Sequence, residues 1–178
     1  MNDLLGEPGA PSFDDPIGML RACHGRIERQ LDTLQRLCAH LPEHGADHDA
    51  QAAARAILRY FDNAAPNHHA DEEASVFPRL LARSPAARDM VATLERDHHG
   101  AFEANWRHLR PLLVAIAAGQ RDTLPPDLVR TVRDAYAAHI ALENDRLFPL
   151  CEETLTPAEL ATIGGEMAAR RGVAWPAK

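Results

Sequence analysis

The sequence lacks most of the features that would place a protein in a membrane, in a disulfide-bonded class or on nucleic acid. It contains only three cysteines, Cys23, Cys38 and Cys151, and no Cys-x-x-Cys pair, which excludes a disulfide framework and a zinc knuckle. Its longest apolar run, residues 112–118, is far shorter than the ~20 residues that a transmembrane helix needs. Lys and Arg number 19 against 26 Asp and Glu, with no basic cluster, so we expect no contact with nucleic acid.

What the sequence does have is an excess of histidine, with 10 among 178 residues, in a composition typical of one domain. Residues 1–15 have neither the basic nor the apolar region of a secretory signal, so we expect a cytoplasmic protein without a membrane contact. Alanine is abundant, β-branched residues are sparse, and apolar and polar residues do not alternate as they do in strands. The sequence therefore predicts an all-α fold.

Apolar residues at helical spacing predict four long helices. The first begins at the Asp15-Pro16 cap, and Pro42 and Gly45 are predicted to end it. The remaining helices are predicted to start near Asp47, after Ser84 and at Pro125-Pro126, with a kink at Pro66. Short connections between four long helices favour an antiparallel up-and-down four-helix bundle.

An extra short C-terminal helix is predicted after this bundle. Thr156 and Glu159 have the spacing of a capping box, and Leu160, Ile163 and Met167 are expected to pack on the bundle. The Arg170-Arg171 pair suits the negative end of this helix, and Gly172 is expected to end it. We therefore divide the chain into a flexible arm over residues 1–14, the bundle over 15–153, and the C-terminal helix and tail over 154–178.

The pattern H-x-x-x-E-x-x-x-x-F-P occurs twice, over residues 68–78 and 139–149. A histidine and a glutamate four residues apart lie on one face of a helix, so each pair offers an imidazole and a carboxylate to one point. The two pairs are His68 with Glu72 and His139 with Glu143. The first and third helices add His24 and one of two adjacent histidines. Converging in a bundle core, these side chains predict a site in which carboxylates bridge two metal ions.

A metal-free core network is the alternative. A single histidine in an apolar stripe is more often a packed core residue, and a single His-x-x-x-Glu pair is commonly a surface pair. Here both pairs lie in apolar stripes and recur at the same distance from Phe-Pro. Two buried carboxylates without a counter-charge would be costly, and a metal ion supplies that charge, so we favour the metal site.

Doubled histidines leave the ligand on the third helix open. His99 keeps the spacing to the following apolar residues that His24 keeps on the first helix, whereas His98 continues the stripe of the preceding turn; we prefer His99. Flanking or supporting positions are predicted for His69, Glu73, Glu28 and Glu103. Loop or surface positions are predicted for His40, His44, His48 and His108.

The sequence resembles the hemerythrin-like, or HHE cation-binding, domain family over residues 15–153. The resemblance rests on His24, the two repeated patterns and the Asp-His-His at 97–99. It implies a four-helix bundle around a non-haem centre of two iron ions, joined by an oxo or hydroxo bridge, with zinc or manganese as substitutes. The implied ligands are His24, His68, Glu72, His99 or its neighbour His98, His139 and Glu143.

Oxygen-carrying members of this family are similar but have a second histidine on the third helix, where this chain has Phe102 or Glu103. The match is closer to members with four histidines and two glutamates, which include di-iron proteins implicated in repair of damaged iron-sulfur centres, nitric oxide handling and iron or oxygen sensing. An octahedral iron pair has about twelve coordination positions, and these ligands with one bridge fill about ten. The resemblance thus implies about two positions for a small ligand.

Two functions from different classes remain open. The first is a di-iron protein that binds, senses or reacts with oxygen, nitric oxide or peroxide, in iron-sulfur centre repair or oxidative and nitrosative stress. The second is a helical interaction module whose metal is purely structural. The expected partner of the first is a diatomic or peroxide ligand, and the sequence identifies no protein partner for either.

Overall fold

The computed structural model describes residues 12–175, and residues 1–11 and 176–178 lie outside this range. Within it the chain forms five helices and no strand, which confirms the predicted all-α class. The helices are α1 (Pro16–His44), α2 (48–83), α3 (88–117), α4 (126–154) and α5 (Pro157–Arg170). Among residues 12–175, the helices lack the combination of length and apolar character that a membrane-spanning helix needs.

The helix ends follow the signals in the sequence. The Asp15 side chain accepts a hydrogen bond from the Gly18 amide, and Thr156 with Glu159 forms the predicted capping box of α5. Gly45, with φ of 65°, ends α1, because this left-handed conformation is open to glycine. The prediction that Pro42 helps to end α1 is wrong, because Pro42 lies in the last turn of the helix.

Wide π turns interrupt α2 and α4 just before prolines. A proline has no N–H, and its ring collides with the carbonyl four residues earlier in a regular α-helix. A π turn before the proline moves that carbonyl away, as where the Phe77 N–H donates to the Glu72 carbonyl oxygen five residues back. The helices therefore continue through these prolines. The turns are Tyr60–Ala64 before Pro66, Glu72–Val76 before Pro78, and Glu143–Leu147 before Pro149.

Two apolar clusters fill the bundle. One takes its residues from the C-terminal parts of α1 and α3 and the N-terminal parts of α2 and α4. The other takes them from the opposite ends of these helices and from α5, where Ile163 and Met167 are buried as predicted. Between the clusters each of the helices α1 to α4 contributes at least one buried polar residue instead. The packing thus encloses a polar level in the middle of an apolar core.

The described part of the predicted arm contacts α5. Phe13 packs against the second apolar cluster, and its ring lies 5.3 Å from that of Trp175. Its carbonyl occupies the space that a side chain on Gly164 would need. The rest of the arm prediction, over residues 1–11, lies outside the described residues.

Candidate metal centre

The polar level of the bundle contains six buried side chains of histidine and glutamate. Each is at most 3% exposed, although glutamate in particular is seldom fully buried without a partner. Packing sets their depth, because each helix passes from one apolar cluster to the other near these residues. The six are His24 from α1, His68 and Glu72 from α2, His98 from α3, and His139 and Glu143 from α4.

The six side chains form two groups that share both glutamates. In each group the ligand atoms, one per residue, lie within 4.8 Å of one another and could hold a metal ion. We name the groups by their histidines. The α1/α2 half-site has His24 and His68, and the α3/α4 half-site has His98 and His139.

Each glutamate contacts one histidine from each half-site. The four N···O separations are 3.1 Å for His68 Nε2 to Glu72 Oε1, 3.5 Å for His98 Nε2 to Glu72 Oε2, 3.0 Å for His24 Nε2 to Glu143 Oε2, and 3.4 Å for His139 Nε2 to Glu143 Oε2. A carboxylate that reaches both half-sites has the placement needed to bridge two metal ions.

Several buried polar atoms of the cluster have no hydrogen-bond partner in the described part of the chain. Among residues 12–175, all four carboxylate oxygens of Glu72 and Glu143 are buried without a hydrogen-bond partner, as is His24 Nε2. These atoms lie near imidazole nitrogens, but their orientation does not meet hydrogen-bond geometry. Because an unpaired buried carboxylate is costly, atoms that converge in this way fit a cation that pairs with all of them.

Both histidines of the α3/α4 half-site are held from behind by carboxylates. His98 Nδ1 lies 2.7 Å from Glu73 Oε1, and His139 Nδ1 lies 3.2 Å from Asp97 Oδ2. With Nδ1–H donating to the carboxylate, each ring presents the lone pair of Nε2 to the cluster. The two Nε2 atoms are 3.1 Å apart, so in this tautomer their lone pairs converge on one point, where a metal ion could accept both.

The α1/α2 half-site is supported differently. His24 Nδ1 lies 2.9 Å from Oδ1 of Asn144, an uncharged amide. His68 Nδ1 is buried and has no hydrogen-bond partner in the described part of the chain. The His24 ring stacks on Phe148 with 5.2 Å between centroids and meets the His68 ring edge-on at 5.0 Å. Ring packing and one amide, rather than carboxylates, therefore orient these two histidines.

Burial and the charges of neighbouring side chains determine the pKa values of the histidines and glutamates in the cluster. Burial, with the neighbouring Glu143, raises the pKa of Glu72 well above its usual value. Burial alone would also raise the pKa of Glu143, but the adjacent imidazoles outweigh it and lower that pKa. Burial lowers the pKa of His68, and it lowers the pKa of His98 to about 3, so both rings are neutral near pH 7. Neutral imidazole is the form that binds metal.

The structure brings His98, and not the preferred His99, into the cluster. The His99 side chain is 63% exposed and contacts Glu73 and Glu103 near the surface. The physical reason is the π turn Asp97–Phe102, which widens α3 at this level, whereas α1 is a regular α-helix throughout. Spacing on α1 therefore does not transfer to α3. The other candidate residues, His24, His68, Glu72, His139 and Glu143, all lie in the cluster.

Two supporting residues, Asp97 and Asn144, were not recognised from the sequence. Asp97 precedes His98 and Asn144 follows Glu143, but each supports a histidine of another helix, so no signal in the sequence assigns this role. Glu73, predicted to flank the ligands, reaches His98. Glu28 and Glu103 are exposed, and so are three of the four histidines predicted at the surface. The fourth, His40, is partly buried, and its Nε2 lies 3.0 Å from Asp47 Oδ2.

Asp71, next to Glu72, ties α2 to the C-terminal helix. It is fully buried, and its two oxygens lie 2.7 Å from Arg170 Nη1 and 2.7 Å from Arg171 Nη2. Arg170 also donates to Ser75 Oγ at 2.6 Å. The two arginines thus do more than suit the helix end, because they neutralise a carboxylate beside the metal centre.

Comparison with known proteins agrees with this geometry. The hemerythrin HHE cation binding domain matches residues 15–151, which include the whole cluster. A Haemophilus influenzae protein described as uncharacterized is 35% identical over 162 residues, which cover 91% of this chain and 93% of that protein. The buried histidines and glutamates of the cluster could hold a metal cation. The chain belongs to the hemerythrin HHE cation-binding domain family.

Proposed function

We propose that this protein is a non-haem di-iron protein that binds, senses or reacts with a small ligand such as oxygen, nitric oxide or peroxide. One observation carries the proposal: Glu72 and Glu143 each contact a histidine from both half-sites. This placement gives each iron two histidines and a share of two carboxylates. An iron pair supplies redox chemistry and open coordination positions, which zinc in the same ligands would supply only in part.

The ligand set supports a ligand-binding centre rather than a plain oxygen carrier. The positions four residues after His98 and His99 are Phe102 and Glu103, and neither provides a ligand. Phe102 is buried and packs edge-on against His139 with 4.8 Å between ring centroids. Glu103 is 59% exposed. The cluster therefore keeps four histidines and two glutamates, with about two positions on an octahedral pair open.

The proposal includes a setting and a topology. A cytoplasmic role in iron-sulfur centre repair or in oxidative and nitrosative stress suits a centre that takes small oxidants, and it requires neither nucleic acid nor a membrane.

An up-and-down antiparallel order of α1 to α4 is supported by the apolar clusters. Each cluster combines the C-terminal parts of alternate helices with the N-terminal parts of their neighbours.

A purely structural metal in a helical interaction module is the second candidate. The observation in its favour is that the cluster lies between two apolar clusters and joins all four bundle helices. A metal ion at this level would stabilise the fold whatever its identity. This candidate predicts that zinc fills the site and that nitric oxide leaves the optical spectrum unchanged.

Metal analysis with optical spectra of anaerobically purified protein tests the proposal. We expect about two irons per chain and a spectral response to nitric oxide. His98→Ala should lower the iron content, while the adjacent His99→Ala should keep it, because only His98 reaches the cluster. Equal iron in both variants would contradict the ligand set, and an iron-free protein loaded with zinc would favour the structural candidate.

A further inference from the structure

A cavity of about 310 Å³ lies between α2 and α3 beside the α3/α4 half-site. Aromatic rings form much of its wall, among them Phe61, Phe102 and Trp106. Glu73 and Glu103 contribute carboxylates, and their side chains are 26% and 59% exposed. A cavity of this size is many times larger than a diatomic molecule, whose volume is similar to the ~30 Å³ of a water molecule.

The cavity reaches the metal centre on one side only. His98 itself lines it, and the His69 ring stacks on His98 with 4.0 Å between centroids. The cavity is thus one imidazole ring away from the α3/α4 half-site. In the α1/α2 half-site the His24 ring is covered by Phe148 instead. A ligand in the cavity would therefore meet the α3/α4 position first.

The chemistry of the wall selects the class of ligand. Aromatic faces favour uncharged molecules, which lose little solvation on entry. The carboxylates of Glu73 and Glu103 repel anions, and among the described histidines His98 contacts Glu73 while the exposed His99 contacts both. Nitric oxide, oxygen and neutral hydrogen peroxide carry no charge for these carboxylates to repel, whereas azide and nitrite are anions.

We infer that this cavity is where an uncharged small ligand approaches the metal pair, that it arrives at the α3/α4 half-site, and that the acidic rim disfavours anions. The inference rests on the proposed di-iron function, which supplies the target of the ligand. To that function it adds the path by which the ligand reaches the metal pair, the half-site at which it arrives, and the expectation that the ligand is uncharged.

The first test seals the cavity from its rim. Glu103→Trp places a large ring at an exposed position that lines the cavity, and Glu95→Trp makes the same change elsewhere on the exposed surface of α3. In iron-loaded protein, we expect Glu103→Trp to slow nitric oxide binding by an order of magnitude or more and Glu95→Trp to leave the rate unchanged. An unchanged rate in Glu103→Trp at full iron content would overturn the inference, whereas wild-type protein that binds no iron would overturn the proposed function.

The second test needs no metal. Trp175→Phe leaves Trp106 as the single tryptophan, so its fluorescence reports on the cavity wall. In metal-free protein at low salt we expect acrylamide, which is neutral, to quench Trp106 more efficiently than iodide. Adding Glu103→Gln should raise the iodide quenching constant about twofold and leave the acrylamide constant unchanged, while Glu95→Gln changes neither. Iodide quenching that equals acrylamide quenching, or that ignores Glu103→Gln, would overturn the inference.

Discussion

The two half-sites have equal numbers of histidines but differ in what stands behind them. In the α3/α4 half-site both imidazoles donate to carboxylates, Glu73 and Asp97. In the α1/α2 half-site one imidazole donates to the Asn144 amide, and within residues 12–175 the Nδ1 of His68 has no partner. A carboxylate behind a ligand histidine raises its basicity and commonly strengthens metal binding ~10–100-fold. Shared glutamates therefore do not make the two positions equal, and we expect the α3/α4 position to bind its metal more tightly.

Removing a shared glutamate should weaken metal binding in both half-sites, and we expect it to lower the iron content more than any other change described below. Because Glu72 and Glu143 each contact both half-sites, Glu72→Ala or Glu143→Ala should lower the iron content from about two per chain to well below one. Metal analysis of purified protein measures this. His40→Ala, outside the cluster, is the control and should keep the wild-type iron content. Two irons retained in both glutamate variants would refute the bridging assignment.

Acid should release the metal and separate the half-sites. Metal binding needs neutral imidazoles, so protons compete with iron as the pH falls through the histidine range near ~6.5. In the metal-free fold the contribution of His98 to stability is lost over the same range, because burial lowers its pKa to about 3 and the unfolded chain therefore binds more protons at this residue below ~6.5. We expect the melting temperature and the iron content to fall together below about pH 6, with the α1/α2 iron leaving first. A metal-free form as heat-stable as the iron-loaded form at neutral pH would contradict this.

Much of the fold could be predicted because its signals are local. Asp15, Thr156 with Glu159, and Gly45 act on the helix end in which they occur, and the structure shows them doing so. The repeated His-x-x-x-Glu pairs also lie within single helices, so their side chains share a face whatever the bundle does. For the same reason the sequence placed five of the six cluster residues in apolar stripes.

The rest depends on features that sequence spacing does not show. His98 faces the cluster because a π turn widens α3, and a regular helical period applied to this segment favours His99. Asp97 and Asn144 support histidines of other helices, so only the tertiary structure relates them. The same holds for Asp71, whose arginine partners lie about a hundred residues further along the chain.

Weakening the α3/α4 half-site alone should remove the difference in metal affinity between the two half-sites. Asp97→Asn leaves an uncharged amide behind His139, which makes the α3/α4 half-site resemble the other. We expect ~10–100-fold weaker binding of one metal ion and a smaller change for the second. Titration with a chelator of known affinity measures both constants. Asp127→Asn, an exposed change at the start of α4, should leave them unaltered.

Weakening the contact between α2 and α5 should lower the stability of the fold. Asp71→Asn removes the charge that pairs with Arg170 and Arg171, whose side chains are 22% and 23% exposed and can turn to water. The loss should therefore fall below the ~3–5 kcal/mol of a fully buried pair, at about 1–3 kcal/mol in chemical unfolding. Arg130→Gln, which breaks a pair 66% and 87% exposed, should cost at most about 0.5 kcal/mol. Equal losses of unfolding free energy in the two variants would show that the ion pairs between α2 and α5 stabilise the fold no more than an exposed surface pair does.

Strengthening the α1/α2 half-site should have the smallest effect, because it should change only the binding constant of the second metal ion. Asn144→Asp places a carboxylate 2.9 Å behind His24, where the α1/α2 half-site has an amide. The first-bound metal should be unaffected, and the second should bind up to ~10-fold more tightly, which narrows the gap between the two constants. In metal-free protein the new charge lies beside Glu143, so the same variant should melt at a lower temperature than wild type. Asn63→Asp adds an equal charge on the surface of α2 and should change neither quantity. If Asn144→Asp tightens both metal ions equally, the two positions are coupled rather than separate, and the half-sites do not differ in the way that their supporting residues indicate.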